Sequence, residues 1–291
     1  MENCIQIGSG DLKAWIAEPG KRYNRTRFDW TCFIPQITYK GRTFCTTEAC
    51  ETWHRNGSGG EGLCGEFRVD NATMGWDDAD DLFLKPGVGL LQRPDEKPYH
   101  FGTEYKIVKP FPHTMTHGTD YANVHLGEIA HKGLAYTVRK HVGIIDNMLS
   151  ITTTAVNTGE KPLRFSEYNH NFLSMDGLGA HPQVTLSLHK NYVNNDETPG
   201  LVMNENGITF AKKIENGFMI VCQEPQANSP LRWTLLDTKA NMSVQEWGDF
   251  PVARFLAWGG PHVIAPEIYG DFPVNPGEAR SWTRLWKFFA R

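Results

Sequence analysis

The stretch Gly133–Gly177, GLAYTVRKHVGIIDNMLSITTTAVNTGEKPLRFSEYNHNFLSMDG, decides how this chain folds. Its apolar residues alternate instead of recurring at helical spacing: Leu134, Tyr136 and Val138, then Leu149, Ile151 and Thr153. Side chains two apart share one face of a strand, so each run reads as a strand with one face buried. The turn Asn157-Thr158-Gly159-Glu160 interrupts the pattern, and the polar block Ser166-Glu167-Tyr168-Asn169-His170-Asn171 ends it.

The same alternation recurs outside this stretch, in Val184, Leu186 and Leu188 and in Trp282, Arg284, Trp286 and Phe288, while no long segment keeps a 3.6-residue period. The pairs Asn206-Gly207 and Asn216-Gly217 supply the positive φ angles of tight hairpin turns, which predicts sequential antiparallel pairing. With many short strands, 12% aromatic residues and no βαβ alternation, the expected fold is all-β. Two large antiparallel sheets pack face to face as a β-sandwich, with residues 1–291 forming a single domain.

At 40% hydrophobic and 21% charged residues, the chain can bury a sizeable core. Its 29 basic and 33 acidic residues are mixed along the sequence and give a net charge of −4, so no basic face is available for nucleic acid. The first twenty residues have neither a basic nor an apolar leader region, and no run reaches the length of a membrane span; a cytoplasmic protein is expected. The six cysteines include no CxxC pair and read as free thiols.

Other motifs point to ordinary structure. Arg55–Gly62 (RNGSGGEG) leads into a strand-like segment, not the helix a phosphate loop requires, and reads as a rim loop. The acidic run Asp77-Asp78-Ala79-Asp80-Asp81 lacks the interleaved ligands of a calcium loop and reads as a solvated turn. His113 and His117 would share a helix face, but Thr114-Met115-Thr116 after Pro110 and Pro112 favours strand or loop, so no metal is expected. Trp76, Trp247, Trp258 and Tyr269 are candidates either for stacking on a sugar or for core packing.

A second polar block, Pro266-Glu267-Ile268-Tyr269-Gly270-Asp271, follows the apolar run Phe255–Trp258 and the turn Gly259-Gly260-Pro261, which puts Glu267 near an expected strand end. Sequence order alone does not bring Glu267 to His170. Gly133–Gly177, with its L-x-Y-T-V strand and its Asn169-His170 pair before Phe172 and Leu173, resembles the central region of the aldose 1-epimerases, or galactose mutarotases. Ile264–Phe289, with a glutamate and the turn Pro276-Gly277-Glu278 before the last strand, is similar to that family's ending.

The resemblance implies a galactose mutarotase-like supersandwich in which His170 is the general acid and Glu267 the general base. It makes Arg93 and His100 (in YHFG) the nearest counterparts of the substrate-holding arginine and histidine, with Asn169 also expected to bind substrate. The substrate would be a free sugar, with no cofactor. Ring opening removes the proton of the C1 hydroxyl while protonating the ring oxygen, which suits an ionised Glu267 and a protonated His170 separated by about the width of a pyranose ring.

The segment from Gly62 to Arg93 has no counterpart in the family pattern. Glu66, Lys85 and Arg93 sit there among apolar residues; Glu66 and Arg93 are expected to line the cleft, the alternative being salt bridges on the sheet rim, with Trp258 against the sugar. Two other readings share this scaffold: a non-catalytic sugar-binding or regulatory module, and an enzyme of other sugar chemistry.

Overall fold

The structure is a computed structural model that describes residues 1–54, 56–69, 81–188, 198–204, 207–222 and 231–291. Trp76, most of the acidic run, Arg55 and Asn206 lie outside the described residues. From the N-terminus, β1 (Cys4–Ser9), β2 (Leu12–Ala17), β3 (Gln36–Tyr39) and β4 (Arg42–Thr43) make a four-stranded sheet. β5 (Leu63–Arg68) joins a five-stranded sheet, and β6 (Leu82–Lys85), β7 (Gly89–Gln92) and β8 (Lys106–Pro110) form a three-stranded one.

A ten-stranded sheet begins with the meander β9 (His113–His117), β10 (Tyr121–Leu126), β11 (Tyr136–Ile145) and β12 (Met148–Asn157). The chain then passes between the two large sheets. β13 (Leu163–Asn171) lies beside β5, whereas β14 (Val184–Leu188), β15 (Leu201–Asn204) and β16 (Gly207–Phe210) return to the ten-stranded sheet. β17 (Phe218–Cys222) is in the five-stranded sheet, β18 (Arg232–Asp237) and β19 (Met242–Gly248) are in the ten-stranded one, β20 (Arg254–Gly260) and β21 (Val263–Val274) come back, and β22 (Ala279–Ala290) crosses over last.

The described residues contain no helix, and both large sheets are antiparallel throughout, in the orders β15-β16-β14-β18-β19-β22-β12-β11-β10-β9 and β17-β20-β21-β13-β5. The alternating residues read from sequence are the buried ones: Leu149, Ile151 and Thr153 on β12, and Trp282, Arg284, Trp286 and Phe288 on β22. Their opposite faces stay polar, with Thr152 bonded to Thr283 and Thr154 to Ser281 across the two strands.

The inward faces meet in one largely apolar layer. Phe272 of β21 stacks on Trp282 of β22 at 3.9 Å between centroids, and Tyr136 of β11 meets Phe165 of β13 edge-on at 5.2 Å. β20, β21 and the end of β13 are buried on both faces, because their second face is roofed by residues of segment 27–54 and by the loop that follows β7.

Two turn expectations resolve differently. β15 and β16 pair as a hairpin with Asn204 opposite Gly207, whereas Asn216-Gly217 joins strands of different sheets and makes no hairpin. The latter pair sits where the chain leaves one sheet for the other, and a local turn signal carries no information about that switch.

Candidate active site

Strand parity builds the site. On β13, Tyr168 and His170 point to the roofed face, as does Phe172 just past the strand, and Glu167, Asn169 and Asn171 point into the inter-sheet layer. Register then aligns neighbours: Arg254, Tyr269, Tyr168 and Glu66 form one rung across β20, β21, β13 and β5. One rung along, His170 and Glu267 meet, with Nε2 3.1 Å from Oε1. On the far side, Phe172 stacks on the imidazole at 4.0 Å and Trp258 meets it edge-on at 5.6 Å.

His170 and Glu267 floor a cavity of about 470 Å³, a volume suited to a small molecule. His170, Glu267, Glu66, Trp258 and Tyr269 line it, and His100 lines it from the loop after β7. Arg27, Glu48, His54, Arg68, Tyr99, Phe101, Tyr168 and Arg254 complete most of the wall. The rim loop enters β5 through Gly62, whose φ of 57° and whose 2.1 Å approach of a hypothetical Cβ to the Ile34 carbonyl oxygen admit only glycine.

Arg27 organises the wall. It donates to Glu66 at 2.8 Å and to Glu48 at 3.0 Å, and its guanidinium lies 4.5 Å from the ring centres of both Phe28 and Phe101. Tyr168 also donates to Glu66, while Tyr269 donates to Glu267 at 2.7 Å and stacks on Tyr168 at 4.2 Å.

Burial sets the charge of the central pair. It pushes the Glu267 carboxyl up to about 8 and holds the His170 imidazole well below its ordinary 6.5, with the Arg27 charge acting in the same direction on His170. The expected ionised Glu267 and protonated His170 therefore give way, near neutral pH, to a carboxylic acid beside a neutral imidazole. The two descriptions carry the same number of protons and differ by one proton moved along the 3.1 Å contact. His170 Nδ1 is buried with no hydrogen-bond partner. The pair is also in direct contact, not a ring width apart, and Glu267 sits in the middle of β21 instead of at its end.

Two expected site residues are elsewhere. Asn169 donates to Asn171 at 2.9 Å in the inter-sheet layer, because the residue next to His170 must face the opposite way. Arg93 is absent from the cavity wall; its Nε lies 3.7 Å from Asp81, and its backbone N–H bonds the Asp81 carbonyl. Lys85 is fully buried and donates to the Phe67 carbonyl oxygen, with burial pushing its amine down to about 8. Trp247 packs under Arg232 away from the cavity. His113 and His117 lie exposed on β9, and among the described residues no three His, Cys, Asp or Glu side chains are grouped to hold a metal ion.

No protein-family model and no curated protein matches the sequence. Solved structures do match it over nearly the whole of this chain. A galactose mutarotase-like protein from Lactobacillus casei superposes with a TM-score of 0.60 at 13% identity, covering 98% of this chain and 100% of that one. One from Clostridium acetobutylicum gives 0.60 at 13% identity, covering 99% and 95%. A putative aldose 1-epimerase from Escherichia coli gives 0.57 at 10% identity, covering 99% of both chains. Among the described residues no helix is long and apolar enough to cross a membrane. The chain has the galactose mutarotase-like fold.

Proposed function

We propose that this protein interconverts the anomers of a free sugar, with His170 and Glu267 exchanging the acid and base roles. The contact between these two side chains on the floor of a sugar-sized cavity is the observation that carries this reading. The C1 hydroxyl and the ring oxygen are attached to the same carbon. An acid and a base within one hydrogen bond of each other can therefore reach both oxygens once the substrate takes the place of their direct contact.

The base takes the hydroxyl proton, the C1–ring oxygen bond breaks with its electron pair going to the ring oxygen, and the acid protonates that oxygen. After rotation about C1–C2 the open-chain hydroxyl attacks the other face of the aldehyde, and the two groups reverse roles. Either tautomer of the pair supplies one acid and one base, so the chemistry does not require the ion pair to be the resting form. Glu66, held by Arg27 and Tyr168, and the His100 ring at the mouth are placed to accept or donate hydrogen bonds to ring hydroxyls. Trp258 offers an apolar face. No cofactor enters these steps. The free thiols of Cys4, Cys32, Cys45, Cys50 and Cys64 support a reducing location, the cytoplasm.

Anomer exchange followed by NMR on a panel of free aldoses tests the reading. Acceleration by the wild-type protein, lost in both Glu267→Gln and His170→Asn, supports it. If rates are the same with and without protein while sugars still bind, the chain is a binding module.

A further inference from the structure

Three arginines and three glutamates line the cavity, but the carboxylates are not shared evenly among the arginines. Of the three arginines lining it, Arg27 is shared between Glu48 and Glu66. Arg254 and Arg68, the latter exposed at the end of β5, have no carboxylate partner among the described residues. Arg254 leans over the Tyr269 ring at 5.3 Å, and its Nε is buried with no hydrogen-bond partner. A buried guanidinium N–H left unpaired costs free energy that a ligand acceptor would recover. The one carboxylate on the rung of Arg68, Asp271, is taken by Arg164 at 2.5 Å.

Position gives these two arginines a meaning. Arg254 lies on the rung next to the His170–Glu267 pair, and Arg68, opposite Ser166, lies on the rung beyond that. Rungs on one face are about 7 Å apart, so the arginines sit about 7 and 14 Å along the strands from the reacting end. They stand on β20 and β5, on either side of β21 and β13, and their side chains enter the cavity from its two flanks. In the orientation that puts C1 at the acid-base pair and runs the ring along the strands, the opposite end of a sugar lies toward these two arginines.

We infer that the substrate is an aldose bearing an anionic group, carboxylate or phosphate, at the end remote from C1, and that Arg68 and Arg254 bind that group. This assignment rests on the mutarotase reading for the orientation of the sugar, but not for the anion site itself. With Glu267 uncharged near neutral pH, the lining carries three cationic and two anionic side chains, which agrees with a ligand that brings negative charge. Guanidinium groups bonding an oxyanion provide charge-assisted, directional bonds that a neutral hydroxymethyl group cannot.

The test compares D-glucose, D-glucose 6-phosphate and D-glucuronate with the full-length protein, using NMR anomer exchange for turnover and saturation-transfer NMR for binding. At least one of the two anionic sugars should be handled with kcat/KM about tenfold or more above glucose, and which one shows whether phosphate or carboxylate is read. That ratio should fall about tenfold in Arg254→Met and Arg68→Met, recover partly in Arg254→Lys, and shrink as salt is raised. Equal handling of all three sugars overturns the inference, as does an anionic preference that both methionine variants retain. If no sugar is turned over, binding of an anionic sugar that Arg254→Met abolishes upholds the anion site while the mutarotase reading falls; failure of both anionic sugars to bind sinks the site as well.

Discussion

β13 carries two buried polar clusters back to back, one on each face. In the inter-sheet layer, Arg284 donates to Glu167 at 2.7 Å and to Glu246 at 3.1 Å. Trp282 donates to Glu167, and Trp233 and Asn171 donate to Glu246. Asn171 also donates to the Pro266 carbonyl oxygen and accepts from Trp286 and Asn169. None of these side chains has a buried polar atom left without a partner. On the cavity face, by contrast, His170 Nδ1 and Arg254 Nε are both orphaned.

Shifted ionisation does not separate the two clusters. Burial pushes Glu246 up to about 7 and Glu267 up to about 8. What differs is completeness and access: the inner cluster is closed on itself and sealed, while the outer one is unfinished and faces a cavity. A saturated network fixes structure, tying β13, β19, β21 and β22 together beneath the site. An unsaturated one keeps bonding capacity for a ligand.

The sharpest way to break this contrast is Arg284→Met. It would leave Glu167 as a buried carboxylate without its cation, and the expected cost is about 3–5 kcal/mol in urea unfolding. A variant as stable as wild type would show that the inner cluster is not structural. Glu267→Gln should act in the opposite sense. It keeps the shape and removes the proton-transfer group, so anomer exchange is expected to drop about 10²–10⁴-fold with the fold intact. A comparable loss of stability would place Glu267 with the structural cluster.

The pH dependence sharpens the difference further. Glu267 has a folded-state pKa of about 8, above its unfolded value of 4.5. The stability linked to its neutral form is therefore fully present below 4.5 and is lost as pH rises through 8. Glutamine stays neutral, so Glu267→Gln should match wild type near pH 4.5 and melt a few degrees higher near pH 9. Exchange should fall above about 8, where the pair loses its transferable proton, and on the acid side only well below 6.5, where His170 takes up a second one. An acid limb at the ordinary histidine value would show that substrate entry hydrates the pair.

The ten-stranded sheet was legible because one of its faces meets water: β12 and β22 alternate visibly, and that alternation is the sheet. β13 and β21 are buried on both faces, so alternation no longer marks inside from outside and SEYNHN reads as a single polar block. Parity could still have sorted it, since Asn169 cannot share a face with His170. Arg27, Arg68 and Arg254 left no local signal. Arg27 lies in a charged loop stretch with no strand pattern, and only register across strands far apart in sequence brings Arg68 and Arg254 to the same cavity.

Arg93 tests the outer boundary of the site and should show the smallest effect. The sequence placed it in the cleft because an arginine among apolar residues needs a partner, and the structure supplies one outside the cavity in Asp81, whose side chain is 63% exposed. An ion pair with one partner in water is worth about 0–1 kcal/mol. Arg93→Ala is therefore expected to lower the melting temperature by no more than a couple of degrees and to leave kcat and KM unchanged for every sugar that is turned over. Arg254→Met, from the rung beside the acid-base pair, is the matched comparison and should raise KM for an anionic sugar. If Arg93→Ala raises KM as strongly as Arg254→Met, the loop after β7 must close over the bound sugar and carry Arg93 with it, and the division between cavity wall and supporting shell would have to be redrawn around that movement.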